Sequence, residues 1–308
     1  MKATVKQITL SPGKRVICIS DIHGNLDLLL QLLDKVSYSE QDILLLLGDI
    51  FRKGKQCKET LRYVMDLSEK EHVHVLRGNS DWTGEAYLSE EEKAWIEALP
   101  HIIESERYVF VHGGIGPGAL EEQEAWDCMK NDAFAEKGLS FDKYVVVGHW
   151  PTVNYTHEIP CNNPIIDHER RIISIDGGAV LKVSGQLNAL IIHHDVFSFE
   201  AVDALPDYAV RTPQEENGGS INITWNDRFV ELTEQGERVG VYRHLASGRL
   251  ISLPLEVVWK DRDGNLCACG DGTDYRLPVQ AGETVSFVGC FGDEILAKKN
   301  GFVGWIPK

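Results

Sequence analysis

The sequence predicts an α/β layered fold for about the first two-thirds of the chain, followed by a small all-β domain. Three observations support this prediction. Apolar runs of strand length alternate with stretches of helical periodicity through most of the chain. A segment rich in Pro, Gly and polar residues follows at 205–220. From residue 221 onward the sequence shows short strands broken by turns and no convincing helix.

The first strand, turn and helix carry the residues around which the chain is organised. Val16–Ile19 has the composition of a buried central strand, and a polar turn separates it from a leucine-rich helix at 26–36. Asp21 and His23 in that turn lie two residues apart, so both side chains can face one ion. A carboxylate beside an imidazole suits Mn, Fe or Zn. Taken alone, the pair also fits a capping turn with a surface histidine.

The same order of apolar strand and polar end recurs along the chain. Strands are predicted at 42–49, 72–79, 108–112, 144–149, 172–175 and 187–192, and helices at 57–70, 89–99 and 119–134. Ser89 and Glu92 form a capping-box pattern at the start of one helix. In α/β folds ligands bind at the strand ends, so we expect the polar residues to be collected there.

The net charge of −16 limits the partners of the protein. An acidic chain is a poor match for a nucleic-acid backbone or an anionic membrane, and we expect neither as a partner. An anionic substrate would need local positive charge, which bound divalent metal ions supply. The content of 43% apolar and 25% charged residues is that of an ordinary globular protein.

Cysteine usage predicts a reducing compartment, because the seven cysteines are odd in number and lack paired spacing. Cys267, Cys269 and Cys290 provide three thiols without a nearby histidine, so we expect no zinc site there. The N-terminus lacks a signal-peptide apolar region, and no apolar run reaches membrane-spanning length. The expected location is the cytoplasm.

Polar residues that close the apolar strands form a candidate site for two divalent metal ions. They are Asp21, His23, Asp49, Asn79, His112 and His149. Two carboxylates, three imidazoles and one amide are a suitable ligand set, in which Asp49 can bridge the ions. Paired ions can hold both the attacking and the leaving oxygen of a phosphoryl transfer. Packing alone does not explain such residues at the end of every strand.

The ordered motifs around these residues resemble those of the calcineurin-like metallophosphoesterases. The similarity is greatest to the phosphoprotein phosphatase branch, which includes bacterial protein phosphatases and symmetrical diadenosine tetraphosphate hydrolases. The motifs are Asp21-Ile-His23-Gly-Asn, Gly48-Asp49, Arg77-Gly-Asn79, Val111-His112-Gly-Gly, Gly148-His149-Trp-Pro-Thr and Ile175-Asp176-Gly-Gly-Ala. The resemblance spans about two-thirds of the chain and implies an αββα sandwich, in which the Asp176 motif is more structural than catalytic.

The resemblance also implies a metal-binding role for each strand-end residue. Asp21, His23 and Asp49 would bind the first ion, and Asp49, Asn79, His112 and His149 would bind the second. Manganese is the first expectation for both, with iron and zinc as alternatives. Water activated between the two ions would attack phosphorus in line.

Two departures from the family pattern concern phosphate binding and the leaving group. Lys53 occupies the position of a phosphate-binding arginine, which a lysine can replace as a point charge. Arg52 replaces an acidic residue that orients a catalytic histidine in relatives, and Ser80 replaces that histidine. General acid catalysis contributes roughly two to four orders of magnitude. The paired loss therefore favours aryl, nucleotide or anhydride leaving groups.

Further candidates complete the predicted catalytic set around the bridging Asp49. Lys53 and Arg77 are candidates for holding phosphate oxygens, although Arg77 is equally suited to bracing its strand. Asp81 is the candidate replacement for the missing acid. His157 and His168 are alternatives for that role, and a loop position is the simpler interpretation of all three.

The first functional hypothesis is a dinuclear metal-dependent phosphoesterase that acts as a phosphatase on a phosphoprotein or a small phosphorylated metabolite. The alternative is a phosphodiesterase or dinucleotide polyphosphate hydrolase, which Ser80 favours. A hypothesis from a different class is a catalytically weak metal-binding sensor, in which the C-terminal domain is the interaction module. The complete set of metal ligands argues against this last hypothesis.

The C-terminal residues give a second resemblance. Residues 281–289 and 300–307 are similar to the end of a bacterial SH3-like domain. We therefore predict a catalytic domain at 1–205, a linker at 206–220 and an all-β SH3-like accessory domain at 221–308. Such domains bind peptides or pack on another domain, and either role is open for this one.

Overall fold

The computed structural model describes residues 1–83, 88–268 and 272–308. Contacts divide the chain into two units. The first comprises Met1–Thr152, Asn163–Leu181 and Gly185–Asp203, and the second comprises Val153–Asn162, Lys182–Ser184 and Ala204–Lys308. Among the described residues, no helix has the length and apolar character needed to cross a membrane. The cytoplasmic location stays a prediction.

The first unit contains eleven strands and five α-helices among the described residues. The strands are β1 (Val5–Gln7), β2 (Val16–Ile19), β3 (Ile43–Leu46), β4 (Val73–Val75), β5 (Ile102–Glu104), β6 (Tyr108–Val111), β7 (Tyr144–Val147), β8 (Ile165–Asp167), β9 (Ile172–Ser174), β10 (Leu187–His193) and β11 (Val196–Val202). The helices are α1 (Leu26–Lys35), α2 (Cys57–Ser68), α3 (Asn79–Thr83), α4 (Glu90–Ala98) and α5 (Ala125–Met129), with 3-10 turns at Leu120–Glu122, Phe134–Glu136 and Thr152–Tyr155.

These strands form two sheets whose central strands are parallel. One sheet has the order β11-β10-β2-β3-β4, in which β2, β3 and β4 are parallel. The other has the order β1-β5-β6-β7-β9-β8, in which β6, β7 and β9 are parallel. Parallel neighbours end at the same edge of a sheet. The residues that follow β2, β3 and β4 are therefore collected at one edge, as are those that follow β6 and β7.

Alternate residues of the central strands face different layers. One face of each sheet contributes to a shared core, which includes Val16, Cys18, Ile43, Leu45, Tyr108, Phe110 and Val146. The opposite face of β2 and β3 packs with Leu29 and Leu32 of α1 and Val64 of α2. The opposite face of β6 and β7 packs with Cys128 of α5 and with Phe134. The order helix, sheet, sheet, helix confirms the predicted layered sandwich.

The region predicted as one helix at 119–134 is instead three short pieces. A 3-10 turn precedes α5, and a second 3-10 turn begins at Phe134. The Cys128 carbonyl accepts the N–H of Gly113, at 2.7 Å, instead of extending α5 by another turn. Ala133 then takes a left-handed conformation with φ 53°. By contrast, the predicted capping box is confirmed, because Ser89 and Glu92 exchange both hydrogen bonds at the start of α4.

The described part of the second unit contains strands and 3-10 turns but no α-helix, which confirms the predicted all-β class. The turns are Leu255–Val257 and most of Thr152–Tyr155, which begins in the first unit. Its strands are β12 (Asp207–Ala209), β13 (Val230–Gln235), β14 (Val239–His244), β15 (Leu250–Pro254), β16 (Trp259–Lys260), β17 (Leu266–Cys267), β18 (Thr284–Phe291), β19 (Glu294–Lys299) and β20 (Phe302–Pro307). They form sheets of order β12-β18-β19-β20, β13-β14-β15 and β16-β17.

The segment predicted as a linker, 206–220, belongs to this unit. Asp207–Ala209 pairs with β18, and Val210 is buried in the core beside it. The composition of 206–220 signalled turns but not the short edge strand among them. The boundary between a catalytic and an accessory domain stays a prediction, as does the SH3-like character of the second. Cys269 lies outside the described residues, so the absence of a zinc site there also stays a prediction.

The buried residue His101, just before β5, is hydrogen-bonded to Thr4, just before β1. The N–H of Thr4 donates to His101 Nδ1 at 3.1 Å, which places the imidazole proton on Nε2. Burial, together with the charge of Arg77, lowers the pKa of His101 to about 4. An unfolded histidine binds its proton near pH 6.5. The folded protein therefore loses stability as the pH falls from about 6.5 to about 4.

We expect the His101→Gln variant to show a flatter pH dependence of unfolding free energy in this window. The difference is at most about 3 kcal/mol, at 1.36 kcal/mol per pKa unit. Urea denaturation at pH 7 and pH 4.5 measures it. His193→Gln, at an exposed position, is the control. A His101→Gln slope equal to that of the wild type would contradict the burial argument.

Candidate metal centre

Strand ends place the predicted ligands in an unusual backbone conformation. Asp21 and His23 follow β2, Asp49 follows β3 and His149 follows β7, and these four have φ values of 56°, 49°, 52° and 65°. Left-handed φ is uncommon for residues other than glycine. Strain of this kind concentrates at functional sites, where the surrounding structure enforces it. The four residues are therefore held by the fold and not by local preference.

Two glycines allow the ligand-bearing turns to approach one another. A Cβ atom at Gly78 would collide with the backbone nitrogen and the carboxylate of Asp49. A Cβ atom at Gly148 would collide with the side chains of Ser20 and Asp21. Each position therefore requires glycine because of the space available. The turns after β2, β3, β4 and β7 close around one small volume.

Asp49 lies at the centre of this volume. One ligand atom from each of Asp21, Asp49 and His112 lies within 4.8 Å of the others. His23 Nε2 is 3.5 Å from Asp49 Oδ2 and 3.6 Å from Asp21 Oδ1. His112 Nε2 is 3.3 Å from the other Asp49 oxygen and 3.2 Å from Asn79 Oδ1. Each Asp49 oxygen thus faces a different histidine, as a bridging carboxylate does.

The donor atoms fit divalent metal ions. Asp21 Oδ1 is buried without a hydrogen-bond partner in the described part of the chain. His112 Nδ1 lies 2.8 Å from the Leu47 carbonyl, so it carries a proton and the neutral ring keeps its lone pair on Nε2. The neutral ring can offer that lone pair to a metal ion, whereas without an ion Nε2 must carry a proton to face the two oxygen acceptors. Metal ions would satisfy Asp21 Oδ1 and His112 Nε2 together.

Electrostatics describe the same requirement for positive charge. Burial alone would raise the pKa of Asp49, but His112 and His23 beside it hold that pKa below its usual range. Burial alone would lower the pKa of His112, but Asp49 and Asp21 raise it. Burial raises the pKa of Asp176 well above its ordinary value, with a further increase from Asp21. The buried carboxylates thus compete for the available cations.

His149 lies beside His112, with ring centroids 5.3 Å apart. The backbone N–H of His149 donates to Asp21 Oδ2 at 2.9 Å. Its ring nitrogen Nε2 lies 2.7 Å from Asp132 Oδ1. Burial and the charge of His112 lower the pKa of His149 to about 4. The sequence did not predict Asp132 and Lys130 as neighbours of this site, because their segment was assigned to a helix.

The two predicted phosphate-binding cations occupy different surroundings. Lys53 Nζ lies 3.2 Å from His23 Nε2 and 4.0 Å from Asp49 Oδ2, and its side chain is 38% exposed. Arg77 is buried, with its guanidinium 4.3 Å from the centre of the Trp82 ring. Lys53 therefore lies at the cluster and is open to solvent, as a phosphate-binding residue would be. The buried position of Arg77 favours a role in bracing its strand over one in phosphate binding.

Ser80 and Asp81 both support Asp49. The Ser80 hydroxyl donates to Asp49 Oδ2 and the Ser80 N–H to Oδ1, each at 2.7 Å. Asp81 accepts the N–H groups of Asp49, Ile50 and Gly78 at 2.9 to 3.0 Å. Burial and the charge of Asp49 raise the pKa of Asp81 to about 7. These contacts favour a positioning role for Asp81, and its role as a proton donor stays a prediction.

The alternative acids, His157 and His168, have other contacts. His168 is bonded to the Tyr144 hydroxyl at 2.8 Å. Tyr144 begins β7, whereas His149 follows the other end of that strand, so His168 is at the opposite edge of the sheet. His157 belongs to the second unit, where it lies 3.6 Å from Asp227.

Comparison with known proteins agrees with this arrangement. A family model described as calcineurin-like phosphoesterase matches residues 14–168, half of the chain. The chain belongs to the calcineurin-like phosphoesterase family. The predicted family resemblance is thereby confirmed. Family members use divalent metal ions, and the cluster around Asp49 is the candidate site for them in this member.

Curated relatives of this calcineurin-like protein include enzymes named symmetrical bis(5'-nucleosyl)-tetraphosphatase. The one from Vibrio parahaemolyticus is 34% identical over 118 residues, covering 32% of this chain and 44% of the relative. The one from Aliivibrio fischeri is 31% identical over 177 residues, covering 51% and 64%. The chain spans about half the length of the curated relatives it matches.

A solved structure described as "a putative diadenosine tetraphosphatase" has the same fold. It matches with a TM-score of 0.52 and 19% identity, covering 65% of this chain and 98% of its own. At this identity the match supports the fold alone.

We expect the Asp81→Asn variant to be less stable by about 2 to 4 kcal/mol, because the amide nitrogen would face backbone N–H donors that now bind a carboxylate oxygen. Chemical denaturation of the metal-free protein measures the loss. Asp34→Asn, at an exposed position of α1, is the matched control. Unchanged stability of Asp81→Asn would show that the three N–H contacts contribute little.

Proposed function

We propose that the protein is a metal-dependent phosphoesterase in which water attacks a phosphorus centre held at the Asp49 cluster. The observation that carries this proposal is the position of Asp49, whose two oxygens face His23 and His112 separately. Membership of the calcineurin-like phosphoesterase family supports it. Bound divalent ions would lower the pKa of a water nucleophile and offset the charge of the phosphoryl group.

We assign the residues to two ions. Asp21, His23 and Asp49 hold the first, and Asp49, Asn79, His112 and His149 hold the second. Manganese is the first candidate, with iron and zinc as alternatives, because the set mixes carboxylate, imidazole and amide ligands. Lys53 binds a phosphate oxygen, since its amino group lies at the cluster and reaches solvent. Arg77 braces the turn that carries Asn79.

The surroundings of the leaving group favour substrates that need little protonation. In the family pattern, a histidine that acts as the general acid occupies position 80. Here that position is Ser80, whose hydroxyl donates to Asp49. The neighbouring Asp81 accepts backbone N–H groups. Aryl phosphomonoesters, aryl phosphodiesters and phosphoanhydrides have leaving groups that are stable anions and depart with little protonation. We therefore place these substrates ahead of the phosphoprotein or small phosphorylated metabolite expected first from the sequence.

An apolar hollow beside Lys53 supports a leaving group that carries an aromatic ring. Its volume is about 230 Å³, enough for such a ring. Cations at its rim suit a phosphorylated compound in a chain whose net charge is −16. The hollow is lined by Phe51, Arg52, Lys53, Cys57, Lys58, Leu61 and Leu88. The names of the tetraphosphatase relatives agree with a nucleotide substrate.

A substrate panel tests the proposal. The protein is loaded with manganese or zinc and assayed on an aryl phosphomonoester, an aryl phosphodiester, a dinucleoside tetraphosphate and a phosphoserine peptide. We expect turnover of the diester or the tetraphosphate and little turnover of the peptide. Asp49→Asn should lose activity on all four by more than about 100-fold, beyond the effect typical of residues that only support a metal ligand.

Asp66→Asn, an exposed carboxylate on α2, is the control for this substitution. Survival of turnover in Asp49→Asn would exclude a mechanism in which this residue bridges two ions. Preferred turnover of the phosphoserine peptide would restore the phosphatase hypothesis. Two bound ions without turnover of any substrate would favour the metal-binding sensor.

Restoring the family residues at positions 52 and 80 tests the leaving-group argument. We expect the Arg52→Asp, Ser80→His double variant to raise kcat/KM for an alkyl phosphomonoester by about 10-fold or more, because an oriented histidine can protonate the leaving oxygen. The rate on an aryl phosphodiester should rise much less. Ser80→Ala is the control. An equal change on both substrates would show that protonation is not what distinguishes them.

A further inference from the structure

The segment after α5 lies against His149. The proposed function gives no role to this segment. Asp132 Oδ1 is 2.7 Å from His149 Nε2, and the Lys130 amino group is paired with the same carboxylate. Lys130 Nζ is also 3.4 Å from His149 Nε2. His149 is 8% exposed, whereas the Asp132 side chain is 50% exposed. A solvent-facing carboxylate thus reaches a buried histidine at the candidate metal centre.

The hydrogen-bond chemistry fixes the position of the imidazole proton. An ionised carboxylate only accepts, so the short contact to Asp132 requires an N–H at His149 Nε2. The same nitrogen then has no lone pair for Lys130, whose amino group binds Asp132 instead. A neutral His149 ring therefore carries its lone pair on Nδ1. That nitrogen is the one available to a metal ion.

The rest of His149 is already fixed. Its backbone has φ 65°, and its N–H donates to Asp21 Oδ2. Gly148 is packed against Ser20 and Asp21. The rotation of the ring is the freedom that remains, and Asp132 restricts it.

The segment that carries Asp132 is held in place independently. The Cys128 carbonyl accepts the N–H groups of Gly113 and Gly114, which directly follow His112. Lys137 binds the Asn131 side chain on the other side. The segment is thereby tied to the turn that carries a second candidate ligand.

We propose that Asp132 is a positioning residue that holds His149 with Nδ1 toward the second metal ion, and that Lys130 in turn holds Asp132. This inference rests on the proposed metal centre. Carboxylates that bind the outer nitrogen of a metal-ligating histidine orient the ring and increase its basicity, and their loss typically costs 10- to 100-fold in metal affinity.

Calorimetric titration of the metal-free protein with manganese or zinc tests the inference. We expect Asp132→Ala to lower the affinity for the second ion by about 10- to 100-fold and to leave the affinity for the first ion unchanged. Asp132→Asn should retain most of the affinity, because its amide oxygen can still accept from Nε2. Asp127→Ala, an exposed residue of α5, is the matched control.

Nitrogen NMR of the histidines in the zinc-loaded wild type provides a readout independent of any variant. The signals of His149 should show a protonated Nε2 and a metal-bound Nδ1. A metal-bound Nε2 would overturn the inference, as would two ions binding to Asp132→Ala with wild-type affinities. Failure of the wild type to bind a second ion would overturn the proposed metal centre, and this inference with it.

Discussion

The carboxylate of Asp49 is the group on which the rest of the centre depends. Its two oxygens face different histidines and both accept from Ser80, while its N–H is held by Asp81. Its left-handed backbone and the absence of a side chain at Gly78 allow this arrangement. These contacts restrict the rotation of the carboxylate. Under the proposed function, a carboxylate held in this way would keep its metal ions in place without reorganising during turnover.

The charges around Asp49 explain why the site needs cations. Asp21, Asp49, Asp81 and Asp176 are all nearly inaccessible to solvent. Burying one unpaired carboxylate costs several kcal/mol, and like charges raise the cost further. In the described part of the chain, histidines and Lys53 offset some of this charge. We infer that the folded state retains a deficit of positive charge that is filled by metal ions, which ties metal affinity to stability.

The strands that precede the candidate ligands could be predicted from the sequence. The residues that hydrogen-bond to those ligands could not. Apolar runs such as Ile43–Leu46 are unambiguous, and a candidate ligand follows each of these runs within four residues. Asp132 follows no strand, and it reaches His149 because the Cys128 carbonyl ends α5 early. That contact depends on two turns more than ten residues apart in the chain. Short edge strands such as β1 and β8 were missed because three residues carry no periodic signal.

Ser80 shows how one substitution can change two functions at once. A histidine at this position would reach toward the leaving group, whereas the short serine hydroxyl reaches Asp49 Oδ2 at 2.7 Å and orients the carboxylate. The acidic partner that would orient such a histidine is then no longer needed, and under the proposed function Arg52 adds positive charge in its place. We infer that the residues at 52 and 80 give up protonation of the leaving group and provide a fixed Asp49 carboxylate and local positive charge instead. We therefore propose that this site acts on polyanionic substrates whose leaving groups are already stable anions.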